Sequence, residues 1–270
     1  MHSTKSNPYL RAFATALGLA AWLFAIDPLH AQSDEARRLA PKGELRAALI
    51  VSNSVLVTRS PEGQLGGVLV DIANALATKL SVPLHLVPYN NVVLYNRSIG
   101  KDEWDVALTP RDLSRVELLG FSEPFLVVDN GYVVRAGSSL MSADDVDRAG
   151  IRVAVIEHSP ADGFLTRTLK KATIVRLLPG IEEAREALAF GRADVYADNV
   201  QLTSLIATQL GGARTLVGHF SSVNMTFAVP KSNAAVLPTL NKFIDDAKHD
   251  GVIADAIKHA SLFGVRPPMR

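Results

Sequence analysis

The chain's pattern predicts an α/β fold built as two lobes, and three observations carry that reading. Apolar strand runs alternate with amphipathic helices in strand, turn, helix, strand order, the rhythm of a parallel sheet. The rhythm runs once, meets a turn signal at Asp129-Asn130-Gly131, and restarts for two further rounds. With 48% apolar and 20% charged residues over 270 positions, the chain can bury ample core.

At the N-terminus, Lys5 and Arg11 precede an apolar run over residues 12–26, and Leu29-His30-Ala31 offers a small residue for cleavage. That order predicts a secretory signal peptide over residues 1–31. The run is shorter than the roughly 20 apolar residues a membrane span needs. Its removal takes away Lys5, Arg11 and Asp27, which moves the formal charge from +1 to 0. With 28 basic residues against 27 acidic ones, no basic field is present for nucleic acid or an anionic membrane. Cysteine is absent, which excludes disulfides, thiolate ligands and a lipid-bearing Cys, so a freely soluble protein outside the inner membrane is expected.

Residues 32–42 are polar and charged and read as a loose leader. Residues 45–51 (LRAALIV) form a continuous apolar run, a first buried strand. After a turn-rich stretch, Leu69, Ile72, Leu76 and Leu80 fall at helical spacing, and residues 84–89 make the next strand. Beyond the changeover, strands are predicted over 151–156, 173–178 and 193–197, with helices over 160–171, 181–190 and 200–210. A strand over 225–230 (MTFAVP) then leads to helices near 237–248 and 252–263, the first striped by Leu240, Phe243, Ile244 and Ala247.

The stretch WDVALTPRDLSRVELLGFSEPFLVV, residues 104–128, organises the rest. Its strand ends at Pro110 and a polar turn carries Arg115, a planar fork of donors matched to a carboxylate. Arg115 also reads as a solvated turn residue paired with Glu117 or Glu123. The order D-V-A, Arg, F-S-E-P-F resembles the extracellular solute-binding proteins of polar amino-acid ABC importers. G-G-V-L-V-D-I-A over 66–73 and G-R-A-D over 191–194 are similar to further motifs of that family, and the resemblance covers roughly residues 41–265.

The resemblance implies a type 2 periplasmic binding protein, with two mixed sheets flanked by helices and joined by two hinge crossings. Lobe 1 would take residues 43–127 plus 228–268, and lobe 2 residues 128–227. A monomer in the periplasm is implied, not a lipoprotein, delivering a small anionic or zwitterionic ligand to an inner-membrane ABC permease. It also implies that Arg115 holds the ligand carboxylate.

Ser159, Pro160 and Asp162 make a strong helix start, which presents free N–H groups to an anion. Ser159 either grips the ligand with Arg115, as the resemblance implies, or only caps its helix. His158 stands where many relatives carry Gly and brings a side chain to the mouth. In amino-acid binders of the family, an Asp five residues beyond the G-R-A-D acid receives the ligand ammonium; here that position is Asn199. Either the ligand lacks an amine, or Asp198 or Asp162 supplies the charge; Asn199 also reads as a helix cap. Asn53 and Tyr89 sit near strand ends where parallel sheets place ligand contacts, with core packing the alternative for Tyr89. Thr109 and Arg111, flanking the Pro110 break, complete the candidate set.

No G-x-S-x-G, H-E-x-x-H, P-loop or G-x-G-x-x-G occurs, and the seven His show no metal-ligand spacing, so no catalytic residue, cofactor or metal is expected. A lyase of the cyclohexadienyl dehydratase type on the same fold is the alternative, and it would need an acid in the cleft able to donate a proton. A solute-sensing receptor domain is a third reading.

Overall fold

The structure, a computed structural model, describes residues 34–52 and 54–269. The expected signal peptide and the candidate Asn53 lie outside the described residues. Helix α1 (Asp34–Leu39) corrects the loose leader: Ala36 and Leu39, three apart on one face, are fully buried against the main core. Strand β1 (Leu45–Ile50) follows, then a small hairpin of β2 (Thr58–Arg59) and β3 (Leu65–Gly66). Gly67 caps helix α2 (Val68–Lys79) at φ +96°, where a Cβ would meet the Leu56 carbonyl oxygen at 2.8 Å, so only glycine fits. Next come β4 (Leu84–Tyr89), the short helix α3 (Val92–Ser98) and β5 (Val106–Pro110), ending in a single 3₁₀ turn, Leu113–Arg115.

Strand β6 (Leu119–Val134) runs sixteen residues without a break. Asp129-Asn130-Gly131, expected to turn, lie inside it. Their backbone is held in ladders with β11 and β9, Asn130 Nδ2 donates to Ser221 Oγ at 3.0 Å, and Asp129 accepts from Ser222 and Arg266. Long-range pairing overrides the local turn preference.

The second set comprises β7 (Arg152–Ile156), α4 (Pro160–Thr168), β8 (Thr173–Leu177), α5 (Ile181–Ala189), β9 (Val195–Asn199), α6 (Val200–Gln209) and β10 (Arg214–Thr215). Strand β11 (Ser221–Pro230) is longer than its apolar stretch predicts, and α7 (Leu237–His249), α8 (Val252–His259) and β12 (Val265–Arg266) close the chain.

The strand order is β4-β1-β5-β11-β6-β9-β7-β8, with β10 and β12 also on β6. Strands β4, β1 and β5 are parallel, as are β9, β7 and β8, and the long β6 and β11 are antiparallel to their neighbours. The two expected mixed sheets are therefore linked into one hydrogen-bonded ladder, because β6 and β11 pass from one half into the other. In each half both sheet faces are covered, and alternate residues divide between them. Ala47, Val106 and Phe227 join one cluster while Ala48, Ala107 and Ala228 join another; Val153 and Val195 part from Ala154 and Tyr196 in the same way.

An internal likeness ties the halves together. On β1, Arg46 donates through its backbone N–H and its guanidinium to Asp105, which sits just before β5. On β7, Arg152 does the same to Asp194, just before β9. Each aspartate N–H returns a bond to the arginine carbonyl. The guanidinium thus clamps two parallel strands at their entry ends, away from the ends that carry the site.

Candidate ligand-binding cleft

A cleft of about 880 Å³ opens at the carboxyl ends of the parallel strands, the place where open α/β sheets receive ligands. Ile50, Thr109 and Pro110 contribute from the ends of β1 and β5, and Ser222 to Met225 from β11. Helix α4 and the turn before it supply His158, Ser159, Pro160 and Gly163, with Arg167 from the helix's last turn. The 3₁₀ turn contributes Asp112 and Arg115. Of the sequence candidates, Thr109, Arg111, Arg115, His158 and Ser159 are brought together here.

Arg115 is mostly buried, with 14% of its side chain exposed. Its Nε donates to Asp112 Oδ2 at 3.0 Å, and Nη2 sits 2.9 Å from the same oxygen. The guanidinium carbon lies 5.5 Å from the Tyr95 ring centroid, in cation–π range. Nη1 is buried without a hydrogen-bond partner. Thr109 Oγ1 and Tyr95 Oη share that condition, and these three are the orphaned buried side-chain atoms among the described residues. Burial pushes the Tyr95 phenol up to about 12, and the neighbouring Arg115 charge opposes that rise. Three unsatisfied polar atoms in one place cost stability unless something fills their bonding capacity.

The α4 start is built as its sequence indicates. Ser159 Oγ accepts from the Asp162 N–H at 3.1 Å and Pro160 occupies the first turn. His158 holds φ +62°, the left-handed region that glycine enters freely and other residues rarely do. Its N–H donates to Asp162 Oδ2 at 3.0 Å.

The remaining candidates sit elsewhere. Asp162 does not line the cleft; it is buried and also accepts from Thr166 and Arg176. Burial alone would raise its carboxyl, but the bonds from Arg176, the His158 N–H and Thr166 hold it below the ordinary value. Asn199 caps α6, its Oδ1 accepting from the Leu202 N–H at 3.0 Å. Asp198 is tied to the Tyr196 hydroxyl at 2.5 Å and to the Asn199 N–H and Nδ2, and burial raises its carboxyl. Tyr89 packs beside Tyr95 in the core and donates to Glu103 at 2.7 Å. In each case a nearby protein partner satisfies the polar atom first.

Sequence reasoning missed Asp112, Tyr95, Arg167 and the β11 residues. Two signals were available: Asn91 capping α3, which carries Tyr95, and the spacing Pro160, Gly163, Arg167, which defines one helix face. The Arg115–Asp112 pairing at i and i+3 replaces the expected Glu117 or Glu123 partner. Among the described residues no group of His, Cys, Asp and Glu could hold a metal ion, and no helix is long and apolar enough to cross a membrane.

A doubly wound, two-part α/β body with an anion-ready cleft at its strand ends defines the class of proteins that capture a small solute between lobes. The comparisons give the family: residues 50–260 match the bacterial extracellular solute-binding proteins, family 3, and the chain belongs to it. It is 26% identical over 204 residues to the L-arginine-binding protein of Pseudomonas aeruginosa, covering 72% of this chain and 78% of that protein. Among solved structures it resembles the solute receptor for L-cysteine of Neisseria gonorrhoeae, with a TM-score of 0.62, 21% identity and coverage of 83% and 92% of the two chains. An ancestral cyclohexadienyl dehydratase shares the fold at a TM-score of 0.57 and 24% identity, covering 84% and 96%.

Proposed function

We propose that this protein is the periplasmic solute-binding component of an ABC importer, exported by its signal peptide and presenting one small carboxylate-bearing solute to an inner-membrane permease. An amino acid or a related organic acid is the ligand class, in keeping with family membership and with relatives named for arginine and cysteine. The observation that carries this reading is the largely buried Arg115 guanidinium on the cleft wall, whose Nη1 has no hydrogen-bond partner. A carboxylate that reaches it pairs the guanidinium and accepts from it. Ser159 and the first turn of α4, on the same cleft, add N–H groups and the positive end of the helix. Lobes divided near residues 128 and 227 would close on the solute, with β6 and β11 absorbing the rotation.

A lyase needs a proton-donating acid in the cleft. The carboxyl on its wall, Asp112, is held below the ordinary carboxylate value by bonds from Ser114 and by Arg115, so it is already deprotonated. That favours capture without turnover.

The test is titration calorimetry of the purified protein against a panel of amino acids and small organic acids. Arg115→Ala is expected to weaken whichever acid binds by about 2–5 kcal/mol, because it leaves a buried charge unpaired. Affinity equal to that of the parent would remove Arg115 from the site.

A further inference from the structure

We propose that Asp112 is a positioning residue of the cleft: it holds the Arg115 guanidinium in the attitude that receives the solute's carboxylate. The inference rests on Arg115 as the carboxylate anchor and adds how that anchor is held before any solute arrives.

The stretch Asp112-Leu113-Ser114-Arg115 builds the hold locally. It folds as a single 3₁₀ turn with Asp112 at its N-cap, and the Arg115 N–H donates to the Asp112 carbonyl oxygen at 3.1 Å. Residues three apart eclipse one another on such a turn, so the carboxylate and the guanidinium share a face. The two oxygens of Asp112 then do different jobs. Oδ1 accepts from the Ser114 N–H at 2.9 Å and from its hydroxyl at 2.7 Å, which fixes the carboxylate to the turn. Oδ2 accepts from Nε of Arg115 at 3.0 Å and lies 2.9 Å from Nη2.

A guanidinium is a rigid planar fork of N–H donors, so a hold along its Nε–Nη2 edge fixes the whole plane. Nη1 is not part of that hold and has no protein partner. A second contact comes from α3, whose Tyr95 ring centroid lies 5.5 Å from the guanidinium carbon. Both Asp112 and Arg115 line the cleft, so the hold acts where a solute would bind.

Two effects of Asp112 on a bound acid oppose each other. Its charge repels the acid, but its side chain is 35% exposed and water screens the repulsion. Its hold on Arg115 spares the solute the cost of ordering a long, flexible side chain. The second effect is the larger one, because the guanidinium it orders touches the solute directly.

Two substitutions separate the cap from the hold. Asp112→Asn keeps an oxygen for Ser114, since Asn and Asp cap equally well, but turns an amide NH₂ towards the guanidinium. Asp112→Glu keeps a carboxylate for Arg115 on a longer stem that does not suit the cap. The measurement is calorimetry of the purified protein with L-arginine, L-cysteine, L-glutamine and succinate. For each probe that binds the parent, Asp112→Asn is expected to weaken affinity by about 10-fold or more, although it removes a negative charge from the wall. Asp112→Glu is expected to stay within about threefold of the parent. A residue that only caps the turn gives the reverse order, and one that only repels the acid gives a gain in Asp112→Asn. Either result, or equal effects of the two variants, overturns the positioning role. In that event a loss of affinity in Arg115→Ala leaves the anchor standing, and its absence removes the anchor as well. No heat from any of the four probes overturns both.

Discussion

The two strand clamps permit a controlled comparison, because Arg46–Asp105 and Arg152–Asp194 have the same bonds in different surroundings. The side chains of the first pair are 9% and 4% exposed, those of the second 41% and 18%. Arg46→Ala strands the Asp105 carboxylate in the sheet without its two guanidinium bonds, keeping only the bond from the backbone N–H of residue 46. Breaking a buried pair from one side costs about 3–5 kcal/mol, and the solvent-open Asp102 beside Arg46 places this case near about 3. For a chain of this size that lowers the melting temperature by about 6–12 °C. Arg152→Ala exposes Asp194 to water that already reaches it, so its shift is expected to be clearly smaller. Thermal unfolding followed by circular dichroism at pH 7 measures both, and the double variant Arg46→Met with Asp105→Leu should recover most of the loss. Equal shifts from the two arginines, or no recovery in the double variant, would refute burial as the deciding term.

Three further outcomes are expected. His158→Gly relieves the left-handed backbone and should stabilise the fold by about 0.5–1 kcal/mol net of glycine's greater unfolded entropy, read from denaturant midpoints. Asn199→Asp keeps the cap on α6 but removes the Nδ2 donor to Asp198 and sets a second carboxylate beside it. It should destabilise by about 1–2 kcal/mol and leave ligand affinity unchanged, and a gain in amino-acid affinity by calorimetry would contradict this placement. In acid, Asp194, depressed chiefly by its bonds from Arg152, and Asp162 both sit below the ordinary 3.8 when folded. Their contribution is complete above that value and is lost as pH falls through the folded pKa values, whereas protonation of the raised Asp198 relieves a penalty on the way down. A pH series of melting temperatures should therefore hold or rise slightly towards pH 4 and drop below it.

The order of the longer strands and helices was legible because most of them are signalled within a few residues, whereas α1, α3 and the two-residue strands were not. Apolar runs mark β1 and β7, helical spacing marks α2 and α7, and Ser159-Pro160 marks the start of α4. That Arg115 belongs to the cleft wall was legible for a similar reason, since a strand, a break and a guanidinium follow one another in ten residues. Where local and distant preferences conflicted, distance won. Asp129-Asn130-Gly131 has the composition of a turn, yet both edges of that segment find strands to pair with, and a paired strand satisfies more backbone than a turn does. The polar leader became a helix because two of its side chains reach a core assembled mostly from residues far along the chain.

The site divides in the same way. From sequence alone came the chemistry that a carboxylate would need: Arg115, Thr109, Ser159 and the helix they face. Whether each polar group is free to use that chemistry depends on partners supplied by folding. Asn199, Asp198 and Asp162 are engaged by a helix end, a buried phenol and Arg176, while Nη1 of Arg115 and Oγ1 of Thr109 are buried without a hydrogen-bond partner. Hydrogen-bond capacity is finite and short-ranged, so only the packed chain decides which donors and acceptors remain for a ligand.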